Sequence, residues 1–235
     1  STNLDELRDK TQDKVLRRLK EDVLDLPDKI ITPIQMNLTS RDYKREMGEY
    51  QDWKRDNKTK GLSIQLAKLM KVRQIIAMEK VKETEQLIEQ SLNQDKKVIV
   101  FTNFTEPLLS LHEKYKNNSV ILNGSMKKED RQKSVDRFQT DDTIKVFIGN
   151  VKAAGVGITL TAAEVVIFND LSFVPSDMSQ AEDRAFRIGQ KKSVSCIYPI
   201  YENTIEQKIF NIVNNKKSVI DTVMGDNIKE EDIMS

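Results

Sequence analysis

Between Lys96 and Pro199 five short apolar runs recur, KVIVFT, SVILN, IKVFIG, EVVIFN and SVSCIYPI, with helical stretches between most of them. No other feature restricts the fold so much. Each run has the length of a buried strand, and four carry near-continuous β-branched or aromatic residues, as strands do when both sheet faces are covered. Such alternation makes an α/β fold, a parallel sheet with helices on both faces. Thr105 is expected to cap the first helix, with Pro107 near its start and Leu108, Leu111 and Tyr115 inward. Ser125 is expected to cap the second, with Val135 and Phe138 inward. Ligands of such sheets bind beyond the carboxyl ends of the strands. That rule places Asn103, Phe104, Gly124, Ser125, the stretch Asn150 to Thr161 and the stretch Asp170 to Pro175 at one edge.

Residues 1–92 read as mostly helical with one extended break. Val15, Leu19 and Val23 have helical spacing, and Pro27 ends that pattern. KIITPIQMNL alternates like a strand that Pro33 confines to an edge or a bulge. Thr39 is expected to open the next helix, with Tyr43, Met47 and Tyr50 on one face. After Gly61, residues 62–92 support one long helix or two consecutive ones. Lys54, Arg55, Lys58 and Lys60 are cations, but interspersed acids favour a solvated surface. At the far end, Thr204 and Gln207 have capping-box spacing before an apolar stripe through Ile205, Ile209, Ile212, Val213, Val219, Ile220 and Val223. Gly225 stops it, and the acidic KEEDIMS has the composition of a disordered end.

A chain of 235 residues with 38% hydrophobic content can bury a real core. No apolar run approaches the ~18 residues of a membrane span, and STNLDELRDK lacks the apolar centre of a signal peptide. No membrane partner and an intracellular address are expected. Cys196 is the only cysteine and reads as a buried strand residue, and His112 stands alone without a cysteine cluster, so no metal site is expected. The net charge is +1, so any attraction for nucleic acid must come from a local basic patch.

QAEDRAFRIGQ, from Gln180 to Gln190, carries the chemistry. If Ser176 to Ile188 is a helix, Gln180, Arg184 and Arg187 leave one face together. Two guanidiniums side by side repel, and a nucleotide phosphate would satisfy both, since the planar guanidinium fork binds phosphate oxygens two at a time. The same helix also reads as a solvated charged one, with Asp183 pairing Arg187 and Ser179 and Glu182 forming a capping box. GVGITL, with Gly155 and Gly157, lacks the third glycine of a dinucleotide fingerprint. Its small residues allow close approach to a phosphate or a neighbouring lobe, and they equally suit a tight turn.

VIVFTNF (98–104), LNGSMKKEDRQKSVDRF (122–138), GVGITLTAA (155–163) and QAEDRAFRIGQ stand in the order of the helicase motifs of the Swi/Snf family of ATP-dependent DNA translocases. The chain resembles that family over most of its length. The resemblance implies a RecA-like lobe over 93–202. It implies a linker, edge strand and helical appendage over 1–92, with Arg17, Arg18, Leu26, Pro27 and Lys29 matching the stretch that joins the first motor lobe to the second. It also implies a bracing helix and loose tail over 203–235. Arg184 and Arg187 would serve as arginine fingers, Gln180 as a nucleotide sensor and Gly155 and Gly157 as the loop coupling nucleotide to DNA. DNA, double-stranded and held by its phosphates, would lie near Thr102, Asn103, Ser125, Lys127, Arg131 and Thr161. The sequence departs from the family at Ala154, where a further glycine is usual, at Asn150 and Val151, where small hydroxyl residues are common, at Phe173 for tryptophan and at Phe186 for histidine.

No G-x-x-x-x-G-K-[ST] and no acidic tetrad after an apolar strand occur. The expectation is a second lobe starting just after the first, which holds ATP and Mg and without which this lobe is inactive. The alternative is a non-catalytic DNA- or protein-binding adaptor with the lobe fold.

Overall fold

The computed structural model describes residues 26–57, 62–154 and 157–222. Six strands, β1 (Lys29–Met36), β2 (Val98–Thr102), β3 (Ser119–Leu122), β4 (Val146–Asn150), β5 (Val165–Phe168) and β6 (Val194–Tyr201), form one sheet in the order β1-β6-β5-β2-β4-β3. Every neighbouring pair is parallel, and the starts align: Lys29 faces Val194, Val165 faces Ser195 and Val98, and Val146 faces Val98 and Ser119. One edge of the sheet therefore holds all the amino ends and the other all the carboxyl ends. The five apolar runs and KIITPIQM are these six strands. Pro33 sits in β1 at the sheet's edge, where a missing N–H is tolerated.

The helices among the described residues are α1 (Arg41–Asp56), α2 (Leu62–Glu79), α3 (Val81–Leu92), α4 (Thr105–Lys114), α5 (Lys128–Thr140), the single turn α6 (Val151–Ala154), α7 (Pro175–Ala185) and α8 (Ile205–Thr222). Strand side chains alternate between two cores. Val98, Val100, Val146, Ile148, Val165 and Ile167 pack with Ile88 of α3 and Leu108 and Leu111 of α4. Ile99, Phe101, Phe147, Val166 and Phe168 pack on the other side with Phe138 of α5, Met178 and Ala181 of α7 and Ile209 of α8. The doubly covered parallel sheet thus explains the near-continuous apolar runs.

β1, from the segment 1–92, is hydrogen-bonded into the same sheet as the rest, and Tyr43, Leu69, Val72 and Ile76 of α1 and α2 join the larger core. Residues 62–92 form two helices that meet at Lys80, whose side chain is wholly buried. α8 covers β6, with the Phe210 ring 6.2 Å from that of Tyr198. The helix expected around Val15, Leu19 and Val23, the residues Lys58, Lys60, Gly61 and Gly155, and the end of the chain from Val223 lie outside the described residues.

Three expected caps fall elsewhere, each for a local reason. Ser40 rather than Thr39 caps α1, its hydroxyl accepting from the Tyr43 N–H at 3.1 Å. Phe104 precedes α4, and the Thr102 hydroxyl accepts from its N–H at 3.2 Å, leaving Thr105 in the first turn. Lys127 precedes α5, because the amide and hydroxyl of Ser125 both turn to the Asn123 side chain, at 3.1 and 2.8 Å. At α8 the Thr204 hydroxyl accepts from the Glu206 N–H at 3.2 Å, while Gln207 reaches back to the Asn203 N–H at 2.8 Å.

Candidate functional site

At the carboxyl edge the ends of three strands are stitched together. Asp170, 3% exposed beyond β5, accepts from the Thr102 hydroxyl, from the Asn103 N–H at 3.1 Å and from the Asn103 side-chain amide at 2.7 Å. The Asn150 side chain at the end of β4 donates to the Asn103 carbonyl at 3.0 Å. Thr102, read as a phosphate contact, is fully buried with its hydroxyl on Asp170, so it shapes the loop from behind. Asn103 is half-buried, with its amide nitrogen on Asp170.

The β3–α5 loop lies at the same edge. Ser125 and Lys127 are exposed there, and Arg131 folds back on the loop, its Nε donating to the Met126 carbonyl at 3.0 Å and an NH2 to the Gly124 carbonyl at 2.7 Å. Arg131 holds the loop's shape, while Lys127 presents its charge to solvent.

Arg73 of α2, which nothing in the local sequence singles out, ties further loops to this edge. Its guanidinium lies 4.0 Å from the centre of the Phe173 ring and 5.6 Å from that of Phe104, and it donates to the Leu171 carbonyl. Burial lowers its pKa, against the attraction of Asp170 and Glu206. The departure at Phe173 thus places a ring against Arg73.

The arginines lie elsewhere. α7 runs back across the sheet: its eleven residues rise about 16 Å, the length of a five-residue strand. Its end is therefore at the amino edge, beside the residues that lead into β5. There the Leu160 N–H donates to the Arg184 carbonyl at 2.8 Å, and the Gln190 side chain donates to the carbonyls of Ala163 and Ala185 at 2.9 and 3.2 Å. Thr161 is also here, its hydroxyl accepting from Gln139 at the end of α5 at 3.1 Å. The expectation that 150–161 projects from the carboxyl edge as a unit is corrected. β5 must restart at the amino edge, so the chain after Asn150 crosses the layer, and Leu160 and Thr161 have already arrived. Gly157, exposed at φ +57°, lies on that crossing, in a conformation that favours glycine.

α7 also ends at Ala185, before the expected Ile188. Phe186 leaves the helix at φ −87°, ψ 77°, and the Gln190 N–H closes a turn onto the Arg187 carbonyl at 2.9 Å. Gly189 at φ +101° makes that turn. Arg187 therefore projects from a turn, exposed, while Arg184 is half-buried on the helix. They remain neighbours: burial first, and then the Arg187 charge, lower the Arg184 pKa, with Asp183 opposing. Gln180 is exposed midway along α7.

Glu182 does not form a surface capping box. It is 2% exposed, accepts from the Tyr198 hydroxyl and pairs with Lys29 at 2.8 Å. Gln190 was also missed as a structural group: besides its two donated bonds, its oxygen accepts from the N–H groups of Lys191 and Lys192 at 2.9 and 3.0 Å. His112 holds Ser119 at 2.8 Å and Cys196 is buried in β6. Among the described residues no group of three or more His, Cys, Asp or Glu gathers as for a metal ion, and no helix is long and apolar enough to cross a membrane.

Residues 79–189 match the helicase conserved C-terminal domain. Over 242 residues the chain is 30% identical to an uncharacterized ATP-dependent helicase of Mycoplasma genitalium, covering 94% of this chain and 23% of that protein. Over 218 residues it is 34% identical to a SWI/SNF-related matrix-associated actin-dependent regulator of chromatin subfamily A-like protein 1 homolog of Caenorhabditis elegans, covering 89% of this chain and 31% of that protein. The chain thus spans less than a third of the length of these relatives. The Sulfolobus solfataricus SWI2/SNF2 ATPase core in complex with double-stranded DNA superposes with a TM-score of 0.68 at 29% identity, over 93% of this chain and 52% of that one. The C-terminal part of the Fun30 ATPase domain shares the fold, with a TM-score of 0.70 at 22% identity over 89% of this chain and 95% of that one.

Proposed function

Because the chain is a C-terminal, RecA-like helicase lobe of the Swi/Snf family, we propose that it is the second motor lobe of a DNA-dependent ATPase that translocates on double-stranded DNA. The observation that carries this reading is the pair Arg184 and Arg187, two neighbouring guanidiniums at the amino edge with Arg187 exposed on a glycine turn. Such a pair fits the phosphate end of a nucleotide. The first RecA-like lobe would hold ATP and Mg, with the cations Arg184 and Arg187 of this lobe facing the phosphates.

In this reading ATP bound between the lobes supplies the phosphoryl group whose transfer drives the cycle. Arg184 and Arg187 stabilise the charge that develops on that group, Gln180 senses the nucleotide from the helix of Arg184, and Gly155 and Gly157 couple nucleotide to DNA. DNA phosphates run along the carboxyl edge at Asn103, Ser125 and Lys127, with Thr102 and Arg131 holding the loops behind them. Thr161, at the opposite edge, belongs to the arginine side. Residues 1–92 link the lobe to the first one and complete its sheet through β1, 93–202 carry the helicase motifs, and 203–235 supply a bracing helix and a loose tail. The lobe works inside the cell, in a bacterial or phage-host cytoplasm or in a nucleus.

The test is DNA-stimulated ATP hydrolysis by the chain alone, by the chain joined to a phosphate-loop lobe, and by the joined form with Arg187→Ala. The chain alone is inactive, the joined form turns over, and the variant loses about 10³- to 10⁵-fold in kcat, the range of arginine fingers. Hydrolysis by the chain alone, or a loss under about tenfold in the variant, overturns the reading. DNA binding without turnover in the joined form would instead make the chain an adaptor.

A further inference from the structure

We propose that Lys29, Glu182 and Tyr198 are positioning residues that set the rotation of α7 and hence the aim of Arg184 and Arg187. The proposal rests on the arginine roles given above. The inner face of α7 is Pro175, Met178, Ala181 and Ala185, and among these buried residues Glu182 is the one charge. Ser172 holds the first turn of the helix through Met178 and Asp177, while the alanine methyl groups make a smooth face along its second half. A carboxylate held from two directions fixes that half. The Lys29 ammonium pairs with one oxygen at 2.8 Å, and the Tyr198 hydroxyl donates to the other.

Lys29 also holds the residue that leaves the helix, its ammonium 5.3 Å from the centre of the Phe186 ring. Glu182 and Phe186 are one turn apart and bracket Arg184. The other members do not yield easily. Tyr198 is stacked on Phe168 at 4.6 Å between ring centres, in the middle of β6. Lys29 is the first residue of β1, whose start is fixed by the Val194 N–H on the Asp28 carbonyl at 2.9 Å. Burial opposes the charge, but the Glu182 carboxylate, with Asp183 and Cys196 adding to it, raises the ammonium pKa above the ordinary lysine range.

The magnitude follows from helix geometry. At 3.6 residues per turn Arg184 leaves the axis about 160° from Glu182, on the outward side. With side chains reaching about 5 to 6 Å from the axis, a rotation of about 20° moves the outer groups about 2 Å. Misplacement by about 1 Å can lower a rate by about 10²-fold. A clamp on the inner face therefore controls catalysis without touching the nucleotide. It also makes the aim of the arginines depend on where the chain enters β1, since Lys29 moves with that strand and α7 follows Lys29.

The experiment uses the joined, active enzyme with Glu182→Gln, Glu182→Leu, Lys29→Met, Lys29→Arg and Tyr198→Phe, beside Arg187→Ala and a surface control, Lys114→Ala, which breaks the exposed pair with Glu85. Steady-state kinetics in ATP and DNA are read with the melting temperature, and the Arg184 and Arg187 Nε–H resonances are read by NMR on the isolated lobe. The expected result is a kcat lowered by about tenfold for Glu182→Gln and Lys29→Met and about 10²-fold for Glu182→Leu, with KM for ATP and half-saturating DNA within about threefold. Tyr198→Phe has a smaller effect in the same direction, Lys29→Arg restores turnover, and Lys29→Met with Glu182→Gln is no worse than either alone. The arginine resonances shift in the impaired variants and not in Lys114→Ala. Folded Glu182 and Lys29 variants with parental kcat, beside a dead Arg187→Ala, overturn the clamp and leave the finger roles standing. An active Arg187→Ala removes the finger roles and the clamp with them. Should Glu182→Leu fail to fold, Glu182→Gln and Lys29→Met decide the matter.

Discussion

Replacing Lys80 by methionine will strongly destabilise the lobe, and removing its partner as well will repair most of the damage. Lys80 is fully buried where α2 meets α3, and its ammonium donates to the Pro199 carbonyl at 2.6 Å and to the Glu206 carboxylate. Glu206 is 3% exposed and accepts one other bond, from the Tyr201 N–H at 3.1 Å. Lys80→Met strands that carboxylate, and breaking a buried pair in this way costs about 3 to 5 kcal/mol. Against the 5 to 15 kcal/mol of a typical domain, roughly, such a loss brings unfolding near ambient conditions. The double variant Lys80→Met with Glu206→Leu has no stranded charge and should come within about 1 kcal/mol of the parent or exceed it. The pH dependence gives a second handle. Burial raises the Glu206 pKa, opposed in the parent by Lys80. Without Lys80 the folded pKa rises further above the unfolded value, so the folded state of the single variant binds a proton that the unfolded state does not. Its stability is greatest at acid pH and falls as pH rises through the folded pKa. The deficit relative to the parent is thus larger at about pH 8 than at about pH 5. Urea unfolding at the two pH values, followed by far-UV circular dichroism, measures all four quantities. A loss under about 1 kcal/mol, or a double variant as weak as the single one, would refute the account.

Two further outcomes follow. Arg73→Met leaves the Leu171 carbonyl without its donor and removes the cation from the rings of Phe173 and Phe104, at a cost of about 2 to 4 kcal/mol in urea unfolding, and Arg73→Lys recovers less than half because lysine lacks the planar fork; full recovery by lysine would count against the stacking. Burial lowers the pKa of His112, the sole histidine, below 6.5, so NMR titration of its ring should show a midpoint under that value. Because the folded pKa is the depressed one, the contribution of His112 to stability is present above the unfolded pKa and lost as pH falls through the folded one. His112→Gln should flatten that part of the stability curve, and an unchanged curve would assign the acid loss to other groups.

The sheet was legible because its inner strands are covered on both faces and most read as near-continuous apolar runs, while the edge strand β1 alternates and is marked by Pro33. The charged groups of the interior were not legible. Lys29 and Glu182 are 153 residues apart, Lys80 and Glu206 126, and Arg73 and Leu171 98. Periodicity reads only neighbours a few positions away, and at that range Lys80, Arg73 and Glu182 look like solvated helix charges. Arg187 shows a different failure. Helical spacing predicts Arg187 on the helix, but the helix ends at Ala185 and Gly189 makes a turn a few residues on. The crossing to Thr161 was legible in principle, since a parallel strand starting at Val165 obliges the residues just before it to lie at the amino edge.

That crossing changes what the glycine stretch has to do. Its two ends are bonded to opposite edges of the sheet: Asn150 to the Asn103 carbonyl beside the proposed DNA loops, and Leu160 to the Arg184 carbonyl beside the proposed fingers. The edges are about 16 Å apart, so no side chain reaches from one to the other, and a rigid sheet lies between them. In the proposed motor three connections span that distance: the covalent crossing, α7, and α5, which starts beside Lys127 and ends at Gln139 on Thr161 and Ala162. The crossing and α7 converge on Arg184, the first through its carbonyl and the second through its helix. Under the proposed roles, Arg184 is thus the better placed to report the state of the DNA edge, and Arg187, exposed on its own turn, the better placed to meet the nucleotide.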